Sequence, residues 1–298
     1  MRKLLICAAM LLSGGVAAFF GTPEAGRILP FCPAVASAQI AIGSLDGIEA
    51  CLPNDGTDYS VFYARLDAYP QRAYAYRSHS MRAASMIKVF ILGKAMQQIQ
   101  AGAMHLEDRI VMTEDDKVGG AGIITGYEAG TAFTVYDLLV LMITESDNTA
   151  TNMMIDQLGM DQINQYIARE GYADSILQRK MMDFDAVAAG RENYTSVNDL
   201  GTFFVRLYNG QVVDPYYDGL MIEILKGQTD TEGIPTALPN AVVAHKTGEL
   251  GGVYNDGGIV YDEHNSVIVV MTDDFSSRDN AIDATIRVSR YLSYEFGG

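Results

Sequence analysis

Along the chain the apolar positions change their period three times. From Tyr59 to Tyr76 the runs "YSVFYARL" and "RAYAYR", joined across Asp67 to Pro70, are rich in aromatic and β-branched residues and predict a β-hairpin. Helical signals follow: Ser85 to Gln100 closed by Gly102, Thr134 to Ile143 with Thr134 as N-cap, Asn148 to Leu158 closed by Gly159, and Ser196 to Tyr208 before Asn209-Gly210. From about Ala241 a strand period returns in "AVVAHKTG", "GGIVYDE" and "SVIVVMTDD", with Glu263-His264-Asn265 turning between the last two. Ile282, Ile286, Tyr291 and Leu292 then form one stripe, which makes Asp279 to Phe296 a closing amphipathic helix. Strands at both chain ends with helices between them imply an α+β fold. One antiparallel sheet is built from the N- and C-terminal segments, about 39–80 and 235–298, and an all-helical subdomain, about 81–234, is inserted between them. A site belongs in the cleft where the two meet.

The first residues carry a different pattern. Arg2 and Lys3 precede an uncharged apolar run from Leu4 to Phe20, and small residues lead to Ala36-Ser37-Ala38. That order is a secretory signal cleaved after Ala38; an uncleaved membrane anchor is the alternative, because the run is just long enough to span a bilayer. Either way the remainder is expected to be secreted or otherwise outside the cytoplasm. Cleavage removes Cys7 and Cys32 and leaves Cys51 alone, so no disulfide framework stabilises the chain.

Composition narrows the function. The 298 residues are 49% hydrophobic and carry a net charge of -16, enough for a large core and the wrong sign for nucleic acid, which needs a basic face. The four histidines, at 79, 105, 245 and 264, show no zinc-ligand spacing. No phosphate-binding or G-x-S-x-G motif is present; "GGAGIITG" at 119–126 is a glycine-rich turn placed near the cleft. No cofactor or metal is implied.

Three short motifs carry chemistry. In "SMIKVFILGKAM" (85–96), Ser85 and Lys88 are one helical turn apart at the head of an apolar segment. A hydroxyl at a helix N-terminus beside a desolvated amine is a nucleophile with its base; the plain reading is a capping serine and a snorkelling lysine. Ser146-Asp147-Asn148 falls at a helix boundary, and Lys246-Thr247-Gly248 lies on a strand followed by Gly251-Gly252. Capping and edge protection explain each alone. Their occurrence once each, in this order, is what the plain readings do not explain.

This set resembles that of class A-like serine β-lactamases and penicillin-binding serine hydrolases, and the resemblance extends over about residues 45–295. It implies that Ser85 forms an acyl-enzyme, that Lys88 is its base and that Ser146 relays a proton to the leaving nitrogen. Asn148 would hold the substrate's side-chain amide, Lys246 and Thr247 its carboxylate, and the N–H groups of Ser85 and Glu249 its oxyanion. It further implies a monomer and a small-molecule partner, a β-lactam or a peptidoglycan stem peptide; residues 39–298 would be the catalytic domain. One departure stands out. The E-x-x-L-N motif that activates the deacylating water in class A enzymes is missing. Its place reads "RKMMDFDAVAAGRENYTS" (179–196), with Asp183 nearest and Glu192 later. Slow deacylation is the consequence expected, and a D-Ala-D-Ala peptidase or an acylated sensor is the alternative reading.

Overall fold

The computed structural model describes residues 42–297. The signal or anchor segment, with Cys7 and Cys32, lies outside the described residues. The sheet begins with β1 (Ile42–Ser44), β2 (Asp58–Arg65) and β3 (Arg72–Tyr76). It is completed near the C-terminus by β8 (Val242–Leu250), β9 (Val253–Tyr261) and β10 (Ser266–Asp273), in the order β1-β3-β2-β10-β9-β8. The two chain ends join where Tyr59 lies opposite Thr272 and Arg65 opposite Ser266. One strand departs from the expected antiparallel sheet: β1 runs parallel to β3. β2 has β10 on its other side, and β1 extends the sheet at the outer edge of β3.

The intervening chain starts with β4 (Met81–Arg82) and a 3₁₀ turn, Ala84–Ile87, that runs directly into α1 (Lys88–Gln100). A small hairpin, β5 (Arg109–Val111) with β6 (Ala132–Thr134), precedes α2 (Val135–Thr144) and α3 (Asn148–Leu158). α4 (Met160–Arg169), α5 (Phe184–Ala188), β7 (Tyr194–Thr195), α6 (Val197–Tyr208) and α7 (Pro215–Lys226) follow, and α8 (Ile234–Ala237) leads back to the sheet. β4 pairs with β7. The starts are chemically marked. Thr134 and Asp137 form a reciprocal capping box on α2, Asp147 caps α3 and Ser196 caps α6, each satisfying N–H groups that the first turn leaves without partners. No helix among the described residues is long and apolar enough to cross a membrane.

Strand alternation divides the core. Phe62, Ala64, Val267, Val269 and Met271 face the helical layer, while Val61, Tyr63, Ile268 and Val270 pack with Val288 and Leu292 of α9 (Arg278–Gly297) on the opposite face. The sheet is therefore the middle of three layers, buried on both sides. α6 lies against it closely. A Cβ on Gly201 would sit 2.3–2.5 Å from the Phe62 ring, and that ring is only 1% exposed. Gly201→Ala is expected to destabilise the fold by about 1–3 kcal/mol through overpacking, measured as a lower denaturation midpoint with unchanged m-value.

Candidate active site

Three elements converge between the sheet and the helical layer: the 3₁₀ turn with Ser85, the α2–α3 junction with Ser146, and β8 with Lys246. Ser85 is half-buried and stands at the head of the helical run, where unpaired N–H groups and the helix dipole favour negative charge. β8 is the edge strand of the sheet, so alternate backbone groups along it have no strand partner. It approaches the Ser85 turn so closely that a Cβ on Gly248 would lie 3.0 Å from Ala83 O and 3.1 Å from both Ser85 N and Met86 N. That contact is the physical reason for glycine in the K-T-G tripeptide.

Lys88 and Lys246 are both fully buried, and both reach the hydroxyl of Ser146. Lys88 Nζ lies 3.2 Å from Ser146 Oγ, 2.6 Å from Ser146 O and 3.1 Å from Asn148 Oδ1. Lys246 Nζ lies 3.1 Å from the same Oγ and 2.7 Å from Thr247 O. No hydrogen bond joins Lys88 to Ser85 Oγ, although the spacing places both at one helix head. Burial, reinforced by the charge of Lys246 and opposed by Asp147, drives the Lys88 pKa well below the ordinary lysine value. Burial also brings Lys246 down to about 7, against the pull of Asp230 and Asp256. Lys88 Nζ donates to Ser146 O, Ser146 Oγ and Asn148 Oδ1. Lys246 then donates to that hydroxyl from the other side.

The surrounding loop is held by Asp147. Its Oδ2 accepts from Ile123 N at 2.6 Å and Ile124 N at 2.9 Å, its Oδ1 accepts from Ala150 N at 2.8 Å, and Asn148 Nδ2 donates to Gly119 O at 3.1 Å. The glycine-rich turn thus forms one wall. Three non-glycine residues at this junction have a left-handed backbone: Ala84 immediately before Ser85 at φ 47°, Ser146 itself at φ 51°, and Met182 at φ 63°. Such conformations cost about 1–3 kcal/mol each and cluster at functional sites.

The cleft beside Ser85 has a volume of about 160 Å³ and reaches Asn148 and Glu249. A larger hollow of about 460 Å³, bounded by Thr57, Asp58, Tyr59 and Arg77, touches none of the three motifs. Asp183 is placed differently from the expectation. It caps α5, with Oδ1 accepting from Ala186 N at 2.9 Å, and its side chain does not line the cleft; a helix that begins at Phe184 needs an N-cap there. Glu192 is ion-paired with Arg179 at 2.7 Å, both nearly buried. Glu249 is the one carboxylate among the cleft residues, and Arg278 binds it at 2.7 and 3.0 Å.

Three contributors belong to no motif: Asn152, Arg179 and Asn193. Asn152 grips Met181 through both its N–H and its C=O, at 2.8 and 3.0 Å; its position four residues after Asn148, on the same helix face, was the available signal. Arg179, Glu192 and Asn193 fasten the loop that carries Met181. Asn193 Oδ1 accepts from Gln178 N and Arg179 N at 2.8 and 3.0 Å. The opposite charges of Arg179 and Glu192 were the available signal.

A model of the β-lactamase enzyme family matches residues 46–296. The chain belongs to that family. A β-lactamase from Streptomyces albus G is 26% identical over 242 residues, covering 74% of this chain and 77% of its own. Among solved structures, a β-lactamase from Sphaerobacter thermophilus DSM 20745 has a TM-score of 0.75 at 28% identity, covering 83% of this chain and 95% of its own. A mutant of PBP-A, solved as an acyl-enzyme complex with penicillin G, has a TM-score of 0.76 at 26% identity, covering 82% and 92%. The α+β architecture, with helices on both faces of its mixed sheet, is the one these neighbours share.

Three outcomes follow for a β-lactamase-family site of this geometry. Lys246 must be cationic to attract a carboxylate, so the second-order acylation constant by an anionic β-lactam should fall as pH rises through about 7, since that constant reports the free enzyme. The same depressed pKa values mean that unfolding takes up protons up to the unfolded lysine value near ~10.4. Thermal stability should therefore rise with pH between about 7 and 10, and Lys246→Ala should flatten both curves. Gly248→Ala, by pushing β8 from the Ser85 turn, should lower acylation about tenfold or more with the fold retained, because misplacement of reacting groups by even 1 Å is costly. Circular dichroism and stopped-flow labelling check it.

Proposed function

We propose that the protein is an extracytoplasmic active-site serine hydrolase that opens β-lactams through an acyl-enzyme on Ser85. The observation that carries this is the buried arrangement of Lys88 and Lys246 on one Ser146 hydroxyl beside Ser85. Ser85 Oγ attacks the lactam carbonyl and gives up its proton to neutral Lys88, after a rotation of the serine side chain toward it. The N–H groups of Ser85 and Glu249 hold the oxyanion. As the C–N bond breaks, the nitrogen takes a proton from Ser146, which is replenished from the adjoining lysines. Lys246 and Thr247 hold the substrate carboxylate, and Asn148 its side-chain amide. The product of this half-reaction is an ester on Ser85.

Hydrolysis of that ester needs a base on an ordered water. The cleft's one carboxylate is occupied by Arg278, and the Asp183 carboxylate is engaged as a helix cap. This favours slow deacylation and keeps the second reading, a penicillin-binding protein or D-Ala-D-Ala peptidase that is acylated with little turnover. The acyl-enzyme complex of the PBP-A neighbour with penicillin G supports the acylation step common to both.

The two readings separate in one experiment. A chromogenic cephalosporin should give a burst of one product per enzyme followed by a slow steady state, and intact mass should show a single adduct that Ser85→Ala lacks. Burst-free turnover at about 10 s⁻¹ or more would overturn slow deacylation. Labelling of Ser85→Ala would overturn the nucleophile, and an adduct persisting for hours would favour the penicillin-binding reading.

A further inference from the structure

The segment that delivers Ser85 is gripped by one buried side chain. Asn255, on β9, is 0% exposed. Its Nδ2 donates to Arg82 O at 3.1 Å and to Ala83 O at 3.3 Å, and its Oδ1 accepts from Thr272 N at 3.0 Å. Both amide hydrogens are therefore spent on the two residues that precede Ala84, whose left-handed backbone at φ 47° leads into the Ser85 turn. These partners fix the orientation of the amide, because a flipped one would set its oxygen against two carbonyls.

The grip arises where the sheet gives up its regular pairing. The β9–β10 ladder runs from Val260 opposite Ser266 to Asp256 opposite Val270. Beyond Asp256, side chains take over from backbone partners: Asn255 Oδ1 receives Thr272 N, while Thr272 Oγ1 accepts from Tyr254 N at 3.0 Å and donates to Tyr254 O at 2.6 Å. The remaining backbone groups ahead of Ser85 are held as well. Arg82 N donates to Asp273 Oδ2 at 3.3 Å, Ala83 N to Asn193 O at 2.8 Å, and Met86 N to Ala83 O at 3.0 Å. Ala83 O thus has two donors, one from Asn255 and one from the turn that carries Ser85.

We propose that Asn255 is a positioning residue for acylation: by holding Arg82 O and Ala83 O it fixes the backbone N–H of Ser85 where the oxyanion develops. The proposal rests on the acyl-enzyme reading above and adds to it a residue outside the three motifs. Oxyanion stabilisation depends on donors that are placed beforehand and do not reorganise during the reaction. Only Ala84 separates the clamped Ala83 from Ser85, so any freedom at Ala83 passes directly to the Ser85 N–H. A left-handed alanine is unfavourable and persists only where its surroundings over-determine it. With the clamp removed, Ala84 relaxes and carries that N–H with it. Asn255 touches no reacting atom, and it acts through Ser85.

Second-order acylation constants with penicillin G, and the infrared carbonyl band of the resulting ester, test it in the wild type, Asn255→Ala, Asn255→Asp and Thr272→Val. Asn255→Asp keeps the volume and the acceptor for Thr272 N but gives up both donations. Thr272→Val removes the neighbouring Tyr254 contacts and leaves Arg82 O and Ala83 O held. Both Asn255 variants should acylate about tenfold or more slowly, because misplacing a donor loses part of what the donor contributes. Their ester band should move to higher wavenumber, as that of a carbonyl with weaker hydrogen bonds does. Thr272→Val should melt at a lower temperature yet acylate within about threefold of the wild type, with its band unmoved. Wild-type acylation or an unmoved band in the folded Asn255 variants would overturn the proposal, and so would the same slowing and band shift in Thr272→Val. Failure of both Asn255 variants to fold would assign the residue to the fold alone and overturn it too. Absence of any adduct in the wild type would instead overturn the acylation reading on which the proposal rests.

Discussion

Two lysine side chains buried to 0% exposure and meeting on one hydroxyl are the constraint around which the rest of the site is arranged. Two full charges at that separation in a dry interior are strongly unfavourable, and neither Nζ is hydrogen-bonded to a carboxylate. Asp147, the nearest influence on Lys88, has its oxygens committed to the backbone of Ile123, Ile124 and Ala150. Burial and the charge of Lys246 push the Lys88 pKa well below the ordinary lysine value, which favours the neutral amine. The chemistry thus arises from an electrostatic conflict that the fold imposes.

Imposing it requires backbone geometry that the local sequence does not favour. Ala84, Ser146 and Met182 have none of glycine's freedom at positive φ, and each is held by contacts from elsewhere. β8 presses on the Ser85 turn through Gly248, Asp147 ties the Ser146 corner to the 119–126 turn, and Asn152 grips the backbone of Met181 next to Met182. Strain of this kind persists where surrounding structure over-determines it. The sheet, buried on both faces, supplies the rigid support.

In the loop from Gln178 to Asn193 several charged and polar groups are engaged within the protein. Arg179 and Glu192 face each other across the loop, Asn193 closes its base, and Asp183 is turned to capping α5. What remains toward Ser85 is methionine and phenylalanine. Glu249, the carboxylate that does line the cleft, is paired with Arg278.

Residue periodicity and local chemistry sufficed for much of the fold. The hairpin at Tyr59 to Tyr76, the helix caps at Thr134 and Ser196, the three C-terminal strands and the closing helix are each specified by side chains near one another in the chain, as propensity and capping are short-range effects. α7, with Asp214 as cap and Pro215 following, carried the same kind of signal and went unread; α4 begins at Gly159 without a side-chain cap. S-x-x-K, S-D-N and K-T-G were legible as motifs, so Ser85, Lys88, Ser146 and Lys246 could be named before any coordinates. Tertiary structure decided what those residues do to one another: that Lys88 contacts Ser146 and Asn148 while making no hydrogen bond to Ser85, that Asp183 caps a helix, and that Met181, Met182 and Phe184 line the cleft. It also decided the parallel placement of β1 on β3. Burial, desolvation and the meeting of charges depend on segments 61 and 100 residues apart (85 to 146, 146 to 246), distances over which no local pattern carries information.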